Sequence, residues 1–306
     1  MITTLHLGLS YRCNFSCAHC YVHKAKDALT LPQYQAFLSA ADRRGLLLVL
    51  YTFGEPLLAD KLMDMTAYVH SLGISQTILT NGWYVNGETV DRLAQNGVTS
   101  YQVSLDSTIP SIHDANRGCA GAYDRAIRAI RVLKDRKMHV GINVTVTRQN
   151  QDALGDFLTL AEREGADRIS FLAERRNGKL EGELSEEYLR VFRYAMARSQ
   201  GGKIFFHDPR LLRHAADAYR QGVIDGKALE RWQQMNGCHS GVSLSLEPNG
   251  DLYRCNLCRQ TLLTNIASCE DMNTLLSERD GRSHEDFVCC SMLSKADQGV
   301  FDPSVH

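Results

Sequence analysis

Residues 4–21 read Thr-Leu-His-Leu-Gly-Leu-Ser-Tyr-Arg-Cys-Asn-Phe-Ser-Cys-Ala-His-Cys-Tyr. The first seven alternate leucine with smaller or polar residues, the period of two expected of a half-buried strand, and Leu31 to Arg43 then reads as a helix. Strand, cysteine loop and helix in that order open an α/β unit. The loop carries Cys13, Cys17 and Cys20, and three thiolates this close suit two metal chemistries. A structural zinc site would take Cys13, Cys17, Cys20 and His23 as four tetrahedral ligands. A cubane of four irons takes one thiolate per iron, so three cysteines would leave its fourth iron open for chemistry.

Outward from this loop, short β-rich stretches alternate with amphipathic helices as far as Glu174, the pattern of a parallel sheet built from βα units. Six strands are predicted: Thr4 to Ser10, Leu46 to Thr52, Ile74 to Leu79, Val98 to Leu105, His139 to Val146 and Arg168 to Ala173. Core stripes at helical spacing fall on Tyr123, Ala126, Ile127, Ile130 and Leu133, and on Leu154, Phe157, Leu158 and Ala161. Residues 1–182 therefore form the α/β segment. Residues 183–237 read as a mostly helical connecting or substrate-covering region with a short apolar segment, Lys203 to Phe206, inside it. Residues 238–306 are cysteine-rich and carry a predicted hairpin, Val242 to Glu247 and Asp251 to Arg254, turning at Pro248-Asn249-Gly250.

A chain of 306 residues buries about three quarters of its unfolded surface, so its core needs no disulfides. Ten cysteines without a secretory leader or a long apolar run favour a soluble cytoplasmic protein that uses thiolates as ligands. The formal net charge of −1 and the lack of a basic tract argue against a nucleic-acid partner. The cluster Arg175, Arg176 and Lys179 reads as a solvated loop. No membrane partner is expected.

Cys-x3-Cys-x2-Cys followed by the aromatic Tyr21 resembles the signature of the radical S-adenosylmethionine (SAM) enzymes. The resemblance implies a splayed α/β fold, a partial (β/α)6 TIM-like barrel whose site opens at the strand carboxyl ends. It also implies a [4Fe-4S] cluster on Cys13, Cys17 and Cys20, with SAM on the open iron. Electron transfer from a donor such as flavodoxin or ferredoxin would then yield a 5′-deoxyadenosyl radical that takes hydrogen from substrate.

Further motifs lie at strand ends. Thr52-Phe53-Gly54-Glu55-Pro56 is similar to the family's Gly-Gly-Glu-Pro, with Phe53 in place of the first glycine, and implies contacts to the SAM amino group from Gly54, Glu55 and Pro56. Thr80-Asn81-Gly82 resembles the family's turn beside the cofactor. Ser104-Leu105-Asp106 with His113-Asp114 and Arg117-Gly118 resembles a pair of motifs in the subgroup that modifies peptides and small metabolites. Ser104 and Asp106 are expected to accept from ribose hydroxyls and Arg117 to face a carboxylate; the plainer alternatives are a helix N-cap at Asp106 or Ser107 and a surface ion pair at Arg117. Asn143 and Leu172 match positions lining the nucleoside. His207, Asp208 and Glu174 are possible bases without a motif.

Cys238, Gly250 and Cys255, at the family's spacing, resemble the opening of the SPASM or twitch extension, a small C-terminal auxiliary-cluster domain, and Thr264-Asn265-Ile266 resembles its Gly-Asn-Ile element. The chain then offers Cys258, Cys269, Cys289 and Cys290, too few for the full set of that extension. One auxiliary iron–sulfur cluster on Cys238, Cys255 and two of Cys258, Cys289 and Cys290 is expected, with a zinc knuckle as the alternative. Cys119 and Cys269 read as small apolar residues or hydrogen-atom donors.

The resemblance implies oxidation, crosslinking or epimerisation of a ribosomally made peptide or an amino acid. The alternatives are a dehydrogenase or epimerase of a cyclitol or sugar, and a non-enzymatic zinc-stabilised interaction protein. With the cluster motif beginning at Cys13, no winged leader-binding module is expected ahead of it. The C-terminus Asp-Pro-Ser-Val-His lacks the paired glycines of a molybdenum-cofactor cyclase.

Overall fold

Six βα units follow one another in the computed structural model, which describes residues 2–22, 25–176, 179–180, 183–197, 203–208, 210–227, 243–254, 262–269, 271–272 and 276. Their strands are β1 (Thr4–Gly8), β2 (Leu48–Thr52), β3 (Ser75–Thr80), β4 (Ser100–Ser104), β5 (His139–Val146) and β6 (Arg168–Ala173). Each pairs in parallel with the next, from Leu7 opposite Tyr51 to Val144 opposite Phe171. Parallel neighbours need crossovers, and helices supply them: α1 (Leu31–Asp42), α2 (Leu62–Ser71), α3 (Gly87–Gln95), α4 (Pro110–Arg117), α5 (Ala122–Asp135) and α6 (Leu154–Arg163).

The predicted stripes face the core. Ala126, Ile127, Ile130 and Leu133 of α5 are buried, as are Leu154, Phe157 and Ala161 of α6, whereas Tyr123 and Leu158 pack half-buried at the margin. On the sheet, Leu5, Leu7, Val49, Tyr51, Ile78, Tyr101, Val103, Val140 and Ile142 are fully enclosed. Enclosing each such side chain contributes about 1.5–3 kcal/mol.

Two further parallel strands extend the sheet. A short hairpin, β7 (Arg175–Arg176) and β8 (Lys179–Leu180), follows β6; then comes α7 (Glu186–Ala197), and β9 (Ile204–His207) joins the free edge of β6 before α8 (Leu211–Arg220). The apolar segment expected inside a helical region is thus a sheet strand. Its four residues are too few to show a period, and what seats it is tertiary: Phe206 packs against Phe171 of β6 at 5.1 Å and against Tyr188 and Phe192 of α7 at 5.8 and 5.5 Å.

At the opposite edge, β10 (Ser243–Leu246) pairs in parallel with β1, and β11 (Asp251–Tyr253) and β12 (Leu262–Asn265) follow it antiparallel. The predicted hairpin exists, its turn closed by Gly250 in the left-handed region at φ 93°, and it is continuous with the barrel sheet. Among the described residues β9 and β12 are the ends of a ten-stranded sheet that does not close. No helix among them is long and apolar enough to cross a membrane.

Candidate active site

Parallel strands send their carboxyl ends to one rim, so residues far apart in sequence meet there. A cavity of about 430 Å³ opens at this rim, within the range of small-molecule sites. Cys13, Cys17, Cys20 and Tyr21 line one wall, from the loop after β1. Gly54 and Glu55 come from the end of β2, and Thr80 and Asn81 from the end of β3. Ser104, Asn143 and Leu172 from β4, β5 and β6 complete the circuit with Arg117 at the last turn of α4.

Phe53 takes φ 62°, the left-handed conformation that a glycine would adopt freely. Holding a phenylalanine in this conformation costs about 1–2 kcal/mol. Glu55 lies beyond it, 1% exposed. Its carboxylate accepts from the Thr80 hydroxyl at 2.7 Å, the Asn81 N–H at 2.8 Å and the Leu57 N–H at 3.2 Å, so it binds the β2 loop to the β3 turn. Pro56 opens the single helical turn that follows and does not line the cavity.

Burial outweighs these three donors and pushes the Glu55 carboxyl up to about 7. The unfolded chain releases the same proton near pH 4.3, so between these values the folded protein binds more protons. Stability should fall as pH rises from about 4.3 through about 7, by up to about 4 kcal/mol. Urea melts of iron-free and SAM-free protein across that window check this, and Glu55→Gln should flatten the slope.

Asn81 is fixed from both sides, its Nδ2 donating to Asn14 Oδ1 at 2.9 Å and its Oδ1 accepting from Trp83 N–H at 2.9 Å. Asn143 is different. Its Oδ1 is buried and has no hydrogen-bond partner, although the side chain lines the cavity.

Asp106 is wholly buried and is not among the residues that line the cavity: Oδ2 is 2.6 Å from Arg117 Nε and 3.4 Å from His19 Nε2, and Oδ1 accepts from Thr145 N–H at 3.1 Å. Burial alone would raise its carboxyl, but Arg117 and His19 facing it hold it below the usual carboxylate range. The expected surface ion pair of Arg117 is accordingly a buried one. Ser107 instead accepts from Ile109 N–H through its hydroxyl, at 3.0 Å.

The neighbouring motif residues build this arrangement. His113, kept neutral by burial with its pKa near 4, accepts the Asp106 N–H on Nδ1 at 3.1 Å. Asp114 accepts from Gly121 and Tyr123 N–H at 2.6 and 2.9 Å, which starts α5. Gly118 ends α4 in the left-handed region, where a Cβ would stand 2.6 Å from the Ser16 carbonyl oxygen. Arg117 reaches a cysteine of the loop, its Nη1 3.8 Å from Cys17 Sγ.

Several lining residues had no sequence signal. Tyr11 donates from its hydroxyl to Glu247 at 2.5 Å, joining the end of β1 to the end of β10, and His19 and Thr145 also line the cavity, beside Glu174, one of the possible bases expected from the sequence. Only position relative to Cys13 or to a strand end marks them. Of the other possible bases, Asp208 is buried and ion-paired to Arg210 at 2.7 Å, and His207 ends β9; neither lines this cavity. Cys238, Cys255, Cys258, Cys289, Cys290 and His23 lie outside the described residues. Among the described residues no three His, Cys, Asp or Glu side chains form a single-ion site.

Residues 7–161 match the model of the radical SAM superfamily. The chain belongs to that superfamily. Radical SAM enzymes use a [4Fe-4S] cluster and SAM, and the site fits both: three cysteines share one wall, and an unpartnered buried oxygen of Asn143 shares the same cavity. The mycofactocin maturase MftC of Mycobacterium ulcerans is 30% identical over 81% of this chain and 66% of its own length. The pre-heme d1 synthase of Dinoroseobacter shibae is 35% identical over 53% of this chain and 41% of its own. The chain thus spans between two fifths and two thirds of these curated relatives. Streptococcus suis SuiB, solved with its precursor peptide SuiA, superposes with a TM-score of 0.70 at 19% identity, covering 92% of this chain and 66% of that one. This last likeness is one of fold.

Proposed function

We propose that this radical SAM enzyme is an oxidoreductase or maturase that removes hydrogen from a peptide, with Cys13, Cys17 and Cys20 as cluster ligands and SAM in the cavity above them. The observation that carries the reading is the convergence of the three cysteines with Gly54, Glu55, Asn81, Ser104 and Asn143 on one cavity at the strand carboxyl ends. When bound, the cluster and SAM supply a carbon-centred radical that abstracts hydrogen. The chain's own residues hold and enclose. Asn143 Oδ1 offers an acceptor to a nucleoside hydroxyl or amine, Ser104 on the neighbouring strand offers a second group, and Leu172 and Tyr21 present apolar surface.

A peptide substrate is supported by the maturase relative, whose similarity covers four fifths of this chain, against half for the heme-pathway relative. An auxiliary cluster on Cys238, Cys255 and two of Cys258, Cys289 and Cys290 belongs to the same proposal, as does a low-potential electron donor such as flavodoxin or ferredoxin.

Anaerobically reconstituted protein should form 5′-deoxyadenosine from SAM and dithionite, and should alter a short precursor peptide encoded beside its gene. Mass spectrometry should show loss of two hydrogens on oxidation or crosslinking, or solvent deuterium uptake without mass loss on epimerisation. Conversion of a porphyrin but of no peptide would overturn the substrate class, and zinc without acid-labile sulfide would overturn the enzyme.

A further inference from the structure

Arg117 is an unusual neighbour for a cluster ligand. It is 8% exposed, its carboxylate partner Asp106 is fully enclosed, and its second arm ends 3.8 Å from Cys17 Sγ. Neither charge is free to drift. Asp106 is pinned through its side chain by Thr145 N–H and through its main chain by His113 and by Asn150, whose Nδ2 donates to the Asp106 carbonyl at 2.9 Å. The end of α4 is tied to the cysteine loop itself: Ser16 N–H donates to the Arg117 carbonyl at 3.3 Å and Ala18 N–H to the Asn116 carbonyl at 3.0 Å. Hydrogen bonds thus join the cysteine loop to the helix end that carries the guanidinium.

A buried ion pair is weak evidence for a stabilising role, because desolvation offsets the attraction. Its placement against a thiolate has a stronger consequence. Hydrogen bonds and charges beside cluster sulfurs set the reduction potential, and in a water-poor setting they act at greater strength than at a surface. A cation next to Cys17 favours the reduced cluster, which carries one more electron. The anion behind it opposes that effect.

We propose that Arg117, oriented by Asp106, is a positioning residue that raises the reduction potential of the cluster on Cys13, Cys17 and Cys20, and that the Asp106 carboxylate partly offsets the rise. This rests on the assignment of those cysteines under the proposed function and goes beyond it. Signs of opposite direction follow for the two partners.

The test is a reductive titration of full-length reconstituted protein without SAM, monitored by electron paramagnetic resonance of the signal that changes when SAM is later added. Arg117→Gln should lower the reduced-to-oxidised ratio at a fixed potential about tenfold, equivalent to about 59 mV for one electron. Asp106→Asn should shift it the other way, and Arg117→Lys, which keeps the charge, should shift it less than Arg117→Gln. Shifts of the same sign in Arg117→Gln and Asp106→Asn, or no shift with iron retained, would overturn the proposal. Loss of the cluster from both Arg117 variants would equally overturn it, in favour of a bracing role. Iron and sulfide in the unaltered protein separate the two readings: if sulfide is absent, the ligand assignment fails first.

Discussion

Alanine at Cys13, Cys17 and Cys20 together should abolish reductive cleavage of SAM and remove about four irons per chain, the content of one cubane. The three thiols are the soft ligands on this cavity wall, and a cluster held by three cysteines has no surplus ligand to lose. Under the proposed auxiliary cluster, iron on the later cysteines should stay. Chromatographic measurement of 5′-deoxyadenosine, with iron and sulfide assays on the same sample, checks both halves. Persistent cleavage would place the reactive cluster elsewhere, and loss of all iron would mean that the two groups are interdependent.

The second large effect is expected from a single methyl group. Gly54 sits at φ +54°, and a Cβ there would stand 2.4 Å from the Arg12 carbonyl oxygen and 2.7 Å from that of Ser10. Both are main-chain atoms at the entrance to the cysteine loop, and Glu55 N–H donates to the same Arg12 oxygen at 2.8 Å, so no side-chain rotation relieves the clash. Gly54→Ala should cost about 1–2 kcal/mol for the left-handed backbone and about 1–3 kcal/mol for overpacking. Displacing Arg12 would also displace Cys13 and weaken iron retention. Gly73→Ala supplies the control, because its φ is +72° and nothing lies within 4 Å of the added carbon; it should lose only the backbone contribution, about 1–2 kcal/mol. Equal losses in urea melts of the two variants would refute the close approach.

Much of the barrel was legible because its signals are local. The first strand announces itself by alternation and the other five as short β-rich apolar stretches between helices, and α5 and α6 by stripes at helical spacing, so burial is written into the order of residues. The cysteine loop and the Gly-Glu-Pro turn were legible for the same reason: ligand chemistry and a left-handed turn each need particular residues at short spacing. Phe53 shows the limit of such reading, since a phenylalanine does not by its own preference adopt the left-handed backbone found there.

What needed the tertiary structure is whatever depends on partners distant in the chain. The stretch Lys203 to Phe206 becomes a strand because the edge of β6 and the rings of Phe171, Tyr188 and Phe192 receive it, and no four-residue pattern encodes that reception. The motif from His113 to Gly118 was visible as letters, yet its physical meaning lies in a fold that brings Arg117 within reach of Cys17, one hundred positions earlier, and buries Asp106 against it. Composition and spacing thus determined the kind of chemistry this chain is equipped for. The surroundings of the charges that tune that chemistry were decided by packing alone, because a Coulomb interaction depends on distance and burial, and neither is a property of neighbouring residues in sequence.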